Sequence, residues 1–270
     1  MPAALACLRR ITAVWLAAVA CATPADATDG DLIQFRVEMY AIAGLHVMTV
    51  LESLRESAQA YSIAMRLQSR GLADLFASID SRTDVAGRIV DGRPYSQSFH
   101  SDIRRGSREA VTTAAFDAGG VVSFGRDPPL ADPRNGMTPE LLRAAIDEHS
   151  AYYWLERQLA RSGSCALTVP VFDGLHRFDL VFADLPRAAA DPKSDFTAPT
   201  MGCAVTRRNL AGFAAGSGND GVSHARMWFA HLLPGMLLLP VRMELDTEIG
   251  IVTGYLAEVH GRGVDLASGR

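Results

Sequence analysis

Apolar and polar side chains alternate with a period of two along most of this chain. In "LIQFRVEMY", Ile33, Phe35, Val37 and Met39 fall on one side and Gln34, Arg36 and Glu38 on the other, the signature of a strand with one buried face. "AIAG" reads as a turn into "LHVMTVLESL", and "AQAYSIAMRLQ" alternates again through Tyr61, Ile63, Met65 and Leu67. Strands joined by short turns predict an antiparallel meander. "RPYSQSFHSDI" and "SREAVTTAAFD" read as a more polar hairpin joined through Arg104-Arg105-Gly106, placed toward an edge or a solvated face. "GLADLFASI" fits a helical turn and a strand edge equally well.

The period changes after the proline-rich loop "GRDPPLADPRNG". "TPELLRAAID" offers Thr138 as N-cap, Pro139 at the first helical position and Glu140 in the first turn, where a negative charge suits the dipole. "DEHSAYYWLERQLARSG" takes Asp147 as its N-cap and stops at Gly163, with a broad apolar face through Tyr153, Leu155 and Leu159. A helical insert over about 138–163 is therefore expected to pack on the sheet. Strands return at 165–172, 175–183, 201–207, 226–232 and 237–259, separated by the small-residue linkers "PRAAADPKSDFTAP" and "AGFAAGSGNDG".

Two hairpins can be drawn in detail. With Asp173-Gly174 as a two-residue turn, Val171 faces His176 and Val169 faces Phe178. One face then collects Leu167, Val169, Val171, Phe178, Leu180 and Phe182. The charged tip disperses: Asp173 turns the chain, Arg177 and Asp179 join Thr168 and Pro170 on the solvated face, and His176 points to the apolar side near the rim. Pro170 falls where a ladder needs an N–H, which predicts an edge strand or a bulge. Near the C-terminus a three-residue turn at Asp246-Thr247-Glu248 sets Leu245 against Ile249, Met243 against Ile251 and Leu239 against Tyr255. Pro240, Arg242 and Glu244 then share the opposite face with Gly250, and the glycines favour a bent sheet.

The N-terminus adds a destination. Arg9 and Arg10, an uncharged apolar run from Ile11 to Ala22, and Ala25-Asp26-Ala27 have the anatomy of a secretory signal peptide over residues 1–27. The apolar run is too short for a bilayer span of ~20 residues. Cys21 offers a second reading, an outer-membrane lipoprotein. A periplasmic protein with one β-rich domain over 28–270, and no transmembrane segment after cleavage, is the expectation. Cys165 and Cys203 then remain in an oxidising compartment, where a disulfide is the expected pairing. A zinc site lacks its ligand spacing, since neither CxxC nor HxxxH occurs, and no cofactor motif is present. Cleavage would remove Arg9, Arg10 and Asp26 and move the formal charge from −4 to −5. With no basic block, nucleic acid is excluded as a partner.

Taken together, several stretches resemble one family: the opening meander with "YAIAGLHV", the helix start "IDEHSAYYWL" ahead of a Cys, "VFDGLHRFDL", a second Cys, and the closing "MWFA…LLLPVRMELDTEIGIVTGYL". They resemble the domain of unknown function 3108 family, exported proteins of Gram-negative bacteria. The resemblance implies a mainly β fold, a strongly curved antiparallel sheet or incomplete β-barrel with helices packed on it. It marks Asp147, Asp173, Gly174, Arg177, Pro240, Arg242 and Gly250 as motif positions of structural character. It brings no catalytic, cofactor or metal residue. Glu148 stands where that family usually has a proline.

Three functions follow. A curved sheet that its side chains do not fill becomes a site for an apolar, lipid-like ligand, and such a module would be non-catalytic. An exposed strand edge would serve an envelope protein partner. A hydrolase acting on the envelope has the weakest basis: Ser217 lacks a strand-to-helix elbow, and His224 and His231 lie on opposite faces of any one strand.

Overall fold

The computed structural model describes residues 31–76, 78–129, 136–186, 200–213, 224–232, 238–247 and 250–267. Residues 1–27, read as a signal peptide, together with Cys21, Ser217, Glu248 and Ile249, lie outside them. Seven antiparallel strands form a first meander: β1 (Asp31–Tyr40), β2 (His46–Glu56), β3 (Ala60–Ser69), β4 (Ile79–Val90), β5 (Arg93–Arg105), β6 (Arg108–Asp117) and β7 (Gly120–Asp127), with the short helix α1 (Gly71–Phe76) after β3. A single helical turn, α2 (Pro139–Leu142), and the long helix α3 (Glu148–Ser162) follow. The second meander is β8 (Leu167–Phe172), β9 (Arg177–Asp184), β10 (Thr200–Ala211), β11 (His224–Ala230), β12 (Leu239–Thr247) and β13 (Gly250–Gly261), with β14 (Val264–Ala267) folded back on β13.

Because β1 pairs with β13, the two meanders fuse into one sheet in the order β7-β6-β5-β4-β3-β2-β1-β13-β12-β11-β10-β9-β8. Its two ends, β7 and β8, are not hydrogen-bonded to each other. The segment before α3 lies between them instead. Ala144 N–H donates to the Gly119 carbonyl at 2.8 Å, while Ile146 N–H donates to the Pro170 carbonyl at 3.0 Å and the Ile146 carbonyl accepts from Phe172 N–H at 2.9 Å. Phe124 of β7 meets Phe172 of β8 edge-on, with ring centroids 4.9 Å apart. The segment thereby pairs with the β8 edge on both sides of Val171 and with the first residue of β7, Gly120. Pro170 sits, as expected, on an edge strand, and its carbonyl still finds a donor.

The alternation of β1 is realised in full. Ile33, Phe35, Val37 and Met39 are all buried inside the curve. The helix lies against that same inner surface. Ala151, Leu155 and Leu159 pack with Val169, Leu180 and Val205 of the second meander, while Tyr153 stacks on Tyr61 of the first at 4.7 Å. Both predicted N-caps are present: Thr138 Oγ1 accepts from Leu141 N–H and Asp147 Oδ1 from Ser150 N–H at 2.9 Å. Gly163, at φ 65°, ends α3 in the left-handed conformation. The Cys165–Cys203 disulfide joins the chain just before β8 to β10, across a Cα–Cα distance of 5.8 Å.

Three details differ from expectation. The β8–β9 connection is a four-residue loop, with Val171 opposite Phe178 and Val169 opposite Leu180. Asp173 Oδ1 accepts from both Leu175 N–H (2.8 Å) and His176 N–H (2.7 Å), which makes an Asx-type loop in place of the two-residue turn. A slip of two leaves each side chain on its predicted face. Arg177 is not solvated. It is 6 % exposed, because α2 covers it and the Leu141 carbonyl accepts from its Nε at 2.6 Å. In the last hairpin Leu245 pairs with Val252 and Met243 with Gly254. That odd-numbered slip turns Ile251 and Tyr255 to the outside, and Ile251 is 47 % exposed. Gly254 decides the register: a Cβ there would stand 2.6 Å from Met243 Cγ.

Candidate functional site

The inner surface is only partly filled. Met48, Val50 and Glu52 of β2 share the inward parity of buried Leu54. Glu52 pairs with Met65 and Val50 with Leu67, and Gly254 and Val252 pair with Met243 and Leu245. All these inward side chains except Leu54, Gly254 and Val252 stay half-buried. A side chain that points inward and still keeps accessible surface faces open space. Part of the inner surface therefore remains accessible, lined by methionine and branched aliphatics that pack on the core at one side.

Helix α3 adds polar groups to the same space. Helical periodicity puts Glu148 on the stripe that packs on the second meander, and Tyr152 and Glu156 between it and the stripe, Ser150, Tyr153 and Arg157, that packs on the first. Burial pushes the Glu52 carboxyl up to about 7. It does the same for Glu148, where repulsion from Asp173 adds to the effect and attraction to Arg207 opposes it, leaving the group at about 7. Burial, with Glu52 and Glu56 nearby, holds Glu156 well above the carboxylate range. His149, stacked at 6.5 Å on Phe99, is depressed by burial against the pull of Asp147. Three carboxyls and an imidazole thus tend to the uncharged form, as groups taken out of water do.

One cation stands among them. Arg207 of β10 has the inward parity of Cys203 and Val205. Its guanidinium lies 4.0 Å over the Phe178 ring and 5.2 Å from that of Phe213. His176 stacks on the far side of the cluster, 4.6 Å from Phe213, with Nδ1 3.0 Å from Asp173 Oδ2. Burial would raise Asp173, but the hydrogen bond and charge of His176 and two backbone N–H groups outweigh it and hold the carboxyl below its ordinary value.

A second polar group is sealed. Asp147 Oδ2 accepts from Ser150 Oγ and Ser96 Oγ, and Ser150 Oγ meets the Tyr61 hydroxyl at 2.6 Å. All four residues are at most 2 % exposed. Gly87 makes the room, since a Cβ there would stand 2.3 Å from the Tyr61 ring. This network pins the start of α3 to the first meander and offers no surface to a substrate.

The motif positions divide accordingly. Asp147, Asp173, Gly174 and Arg177 gather where α2 and α3 meet the β8–β9 loop. Gly174, at φ 88°, sits so close to the inner face of β6 that a Cβ would be 2.2 Å from Thr112 Cγ2. Pro240 marks the bulge opposite Phe229. Arg242 lies outside, over Trp228 at 4.7 Å and paired with Glu244. Gly250 begins β13 at φ 105°, beside Ile42. They do not converge on a reacting centre. The interior polar residues were the ones sequence reasoning missed, although Glu52 interrupts the apolar set 48, 50, 54 and Arg207 continues the set 203, 205.

A closed-up antiparallel sheet around a helix with a partly hollow interior defines a β-barrel-like protein. The chain belongs to the family described as protein of unknown function (DUF3108), whose model matches residues 34–257. Among solved structures it is similar to a β-barrel-like protein of the domain of unknown function DUF1849 from Brucella abortus. The TM-score is 0.54 at 10 % sequence identity, over 87 % of this chain and 99 % of that one, a likeness of fold. No curated protein matches the sequence. No helix among the described residues is long and apolar enough to cross a membrane.

Proposed function

We propose that this protein is an exported, non-catalytic envelope module whose barrel interior holds an apolar, lipid-like molecule. One observation carries the reading: Met48, Val50, Met65, Leu67, Met243 and Leu245 point inward yet remain half-buried. Methionine suits such a lining because its flexible thioether adapts to irregular apolar partners. The positive, apolar and small-residue segments of the N-terminus, together with the disulfide, support export to the periplasm. The strand-edge alternative has less support at β8, where the segment before α3 pairs with Pro170 and Phe172. The hydrolase alternative has less again, since the Ser150–Asp147 pair is sealed. Protein purified from its native host and extracted with organic solvent is expected to release a long-chain lipid detectable by mass spectrometry. A clean extract, together with no rise in melting temperature on adding fatty acids or phospholipids, overturns the proposal.

A further inference from the structure

We infer that Arg207 receives the acidic head group of a single-chain amphiphile seated in the barrel interior. This rests on reading that interior as a ligand site and adds the chemical class of the ligand. Among the described residues, the buried Arg207 Nε and Nη2 have no hydrogen-bond partner. Among the described residues no carboxylate lies within ion-pairing distance of its guanidinium. Asp173, the nearby acid that is held ionised, is already engaged by His176 and two backbone N–H groups. Glu148 and Tyr152 are close enough to feel the charge of Arg207, but burial favours their uncharged forms.

A buried guanidinium without a counter-ion is costly. The two phenyl rings offset part of that cost through their negative faces, yet they leave the N–H groups unsatisfied. A planar fork of donors suits a carboxylate or a phosphate. The aliphatic and methionine lining suits one acyl chain. Uncharged carboxyl and phenol groups around Arg207 add donors without repelling an anion.

The test uses the full chain, stripped of lipid, with cis-parinaric acid as a fluorescent long-chain carboxylate and its methyl ester as the matched neutral probe. The acid is expected to bind about ten- to a hundredfold more tightly than the ester, the range one charge-assisted hydrogen bond supplies. Arg207→Gln should bring the acid-to-ester ratio to about one, and Arg207→Lys should restore part of it. Should Arg207→Gln fail to fold, the acid-to-ester ratio of the unaltered protein still decides. Competition by oleate or by lysophosphatidic acid distinguishes a carboxylate source from a phosphate source, and either supports the inference. Equal binding of acid and ester overturns the role of Arg207 and keeps the lipid reading. Binding of neither probe overturns both.

Discussion

Replacing Glu52 by Gln tests the hollow interior through its electrostatics. The folded carboxyl keeps its proton up to about pH 7, whereas its ordinary value is 4.5. Between those two values the folded state binds more protons than the unfolded state, so this group's contribution to stability falls as pH rises. The contribution is fully present below 4.5 and is lost above about 7. At ~1.4 kcal/mol per pH unit the loss is at most about 3 kcal/mol. Gln has nearly the same shape and no proton to lose. Thermal unfolding followed by circular dichroism at pH 4.5, 6 and 8 should therefore show Glu52→Gln level with the parent at the lowest pH. At pH 8 the variant should melt higher by up to about 6–12 °C, since ~1 kcal/mol moves the midpoint by ~2–4 °C at this size. Other carboxyls shift the opposite way, Asp173, Asp80 and Glu258 among them, so the difference between variant and parent is the informative quantity. A difference that is the same at every pH, or a variant that melts lower at pH 8, refutes the placement of Glu52 in the interior.

Three further perturbations probe what holds the interior open. Removing the Cys165–Cys203 bridge, which spans 38 positions, should cost about 4 kcal/mol by chain entropy. Urea unfolding of the double Cys→Ala variant measures it, and an unchanged midpoint contradicts the pairing. Asp147→Ala should cost about 2–4 kcal/mol, from a lost N-cap and from the unpaired Ser96 and Ser150 hydroxyls; hydrogen exchange across the first turn of α3 should accelerate, whereas unaltered protection argues against the network. Gly174→Ala should destabilise by about 2–3 kcal/mol through its left-handed backbone and its contact with Thr112 Cγ2. Combining it with Thr112→Ser, which deletes that methyl, should recover about 1 kcal/mol or more in the same assay, and no recovery means the loop tip does not touch β6.

Period-two alternation was enough to read most strands, because one face of each is apolar, and the capping residues of α2 and α3 were legible for local reasons. Register was harder. The β8–β9 loop closes on the Asp173 carboxylate, a side-chain event that the strong "DG" signal masks. The β12–β13 register turns on Gly254 making room for Met243, a contact between strands that no pattern within either strand reveals. Arg177 read as solvated because alternation describes only the sheet, and α2 arrives from outside it. The interior site was the least legible part. Its members come from β2, α3, the β8–β9 loop and β10, and only the closure of the sheet brings them together.

The architecture makes room inside the sheet for a helix. A barrel of about eight strands is just wide enough for its own side chains to fill, and diameter grows with strand number. Thirteen strands follow one another along the sheet here, with β14 paired to β13 off that path, and α3 packs inside the curve. The helix cannot fill the whole width, because its two packing stripes are committed to opposite walls: Leu155 and Leu159 to the second meander, Tyr153 to the first. Between those stripes lie Tyr152, which meets Phe182 of β9 edge-on at 5.8 Å, and Glu156, which is buried. A buried carboxyl is costly without a partner, and burial holds that of Glu156 toward its uncharged form. The sequence keeps carboxyls on this side of α3 and methionines at inward positions of β2, β3 and β12, the distribution that the proposed apolar guest with a polar end requires.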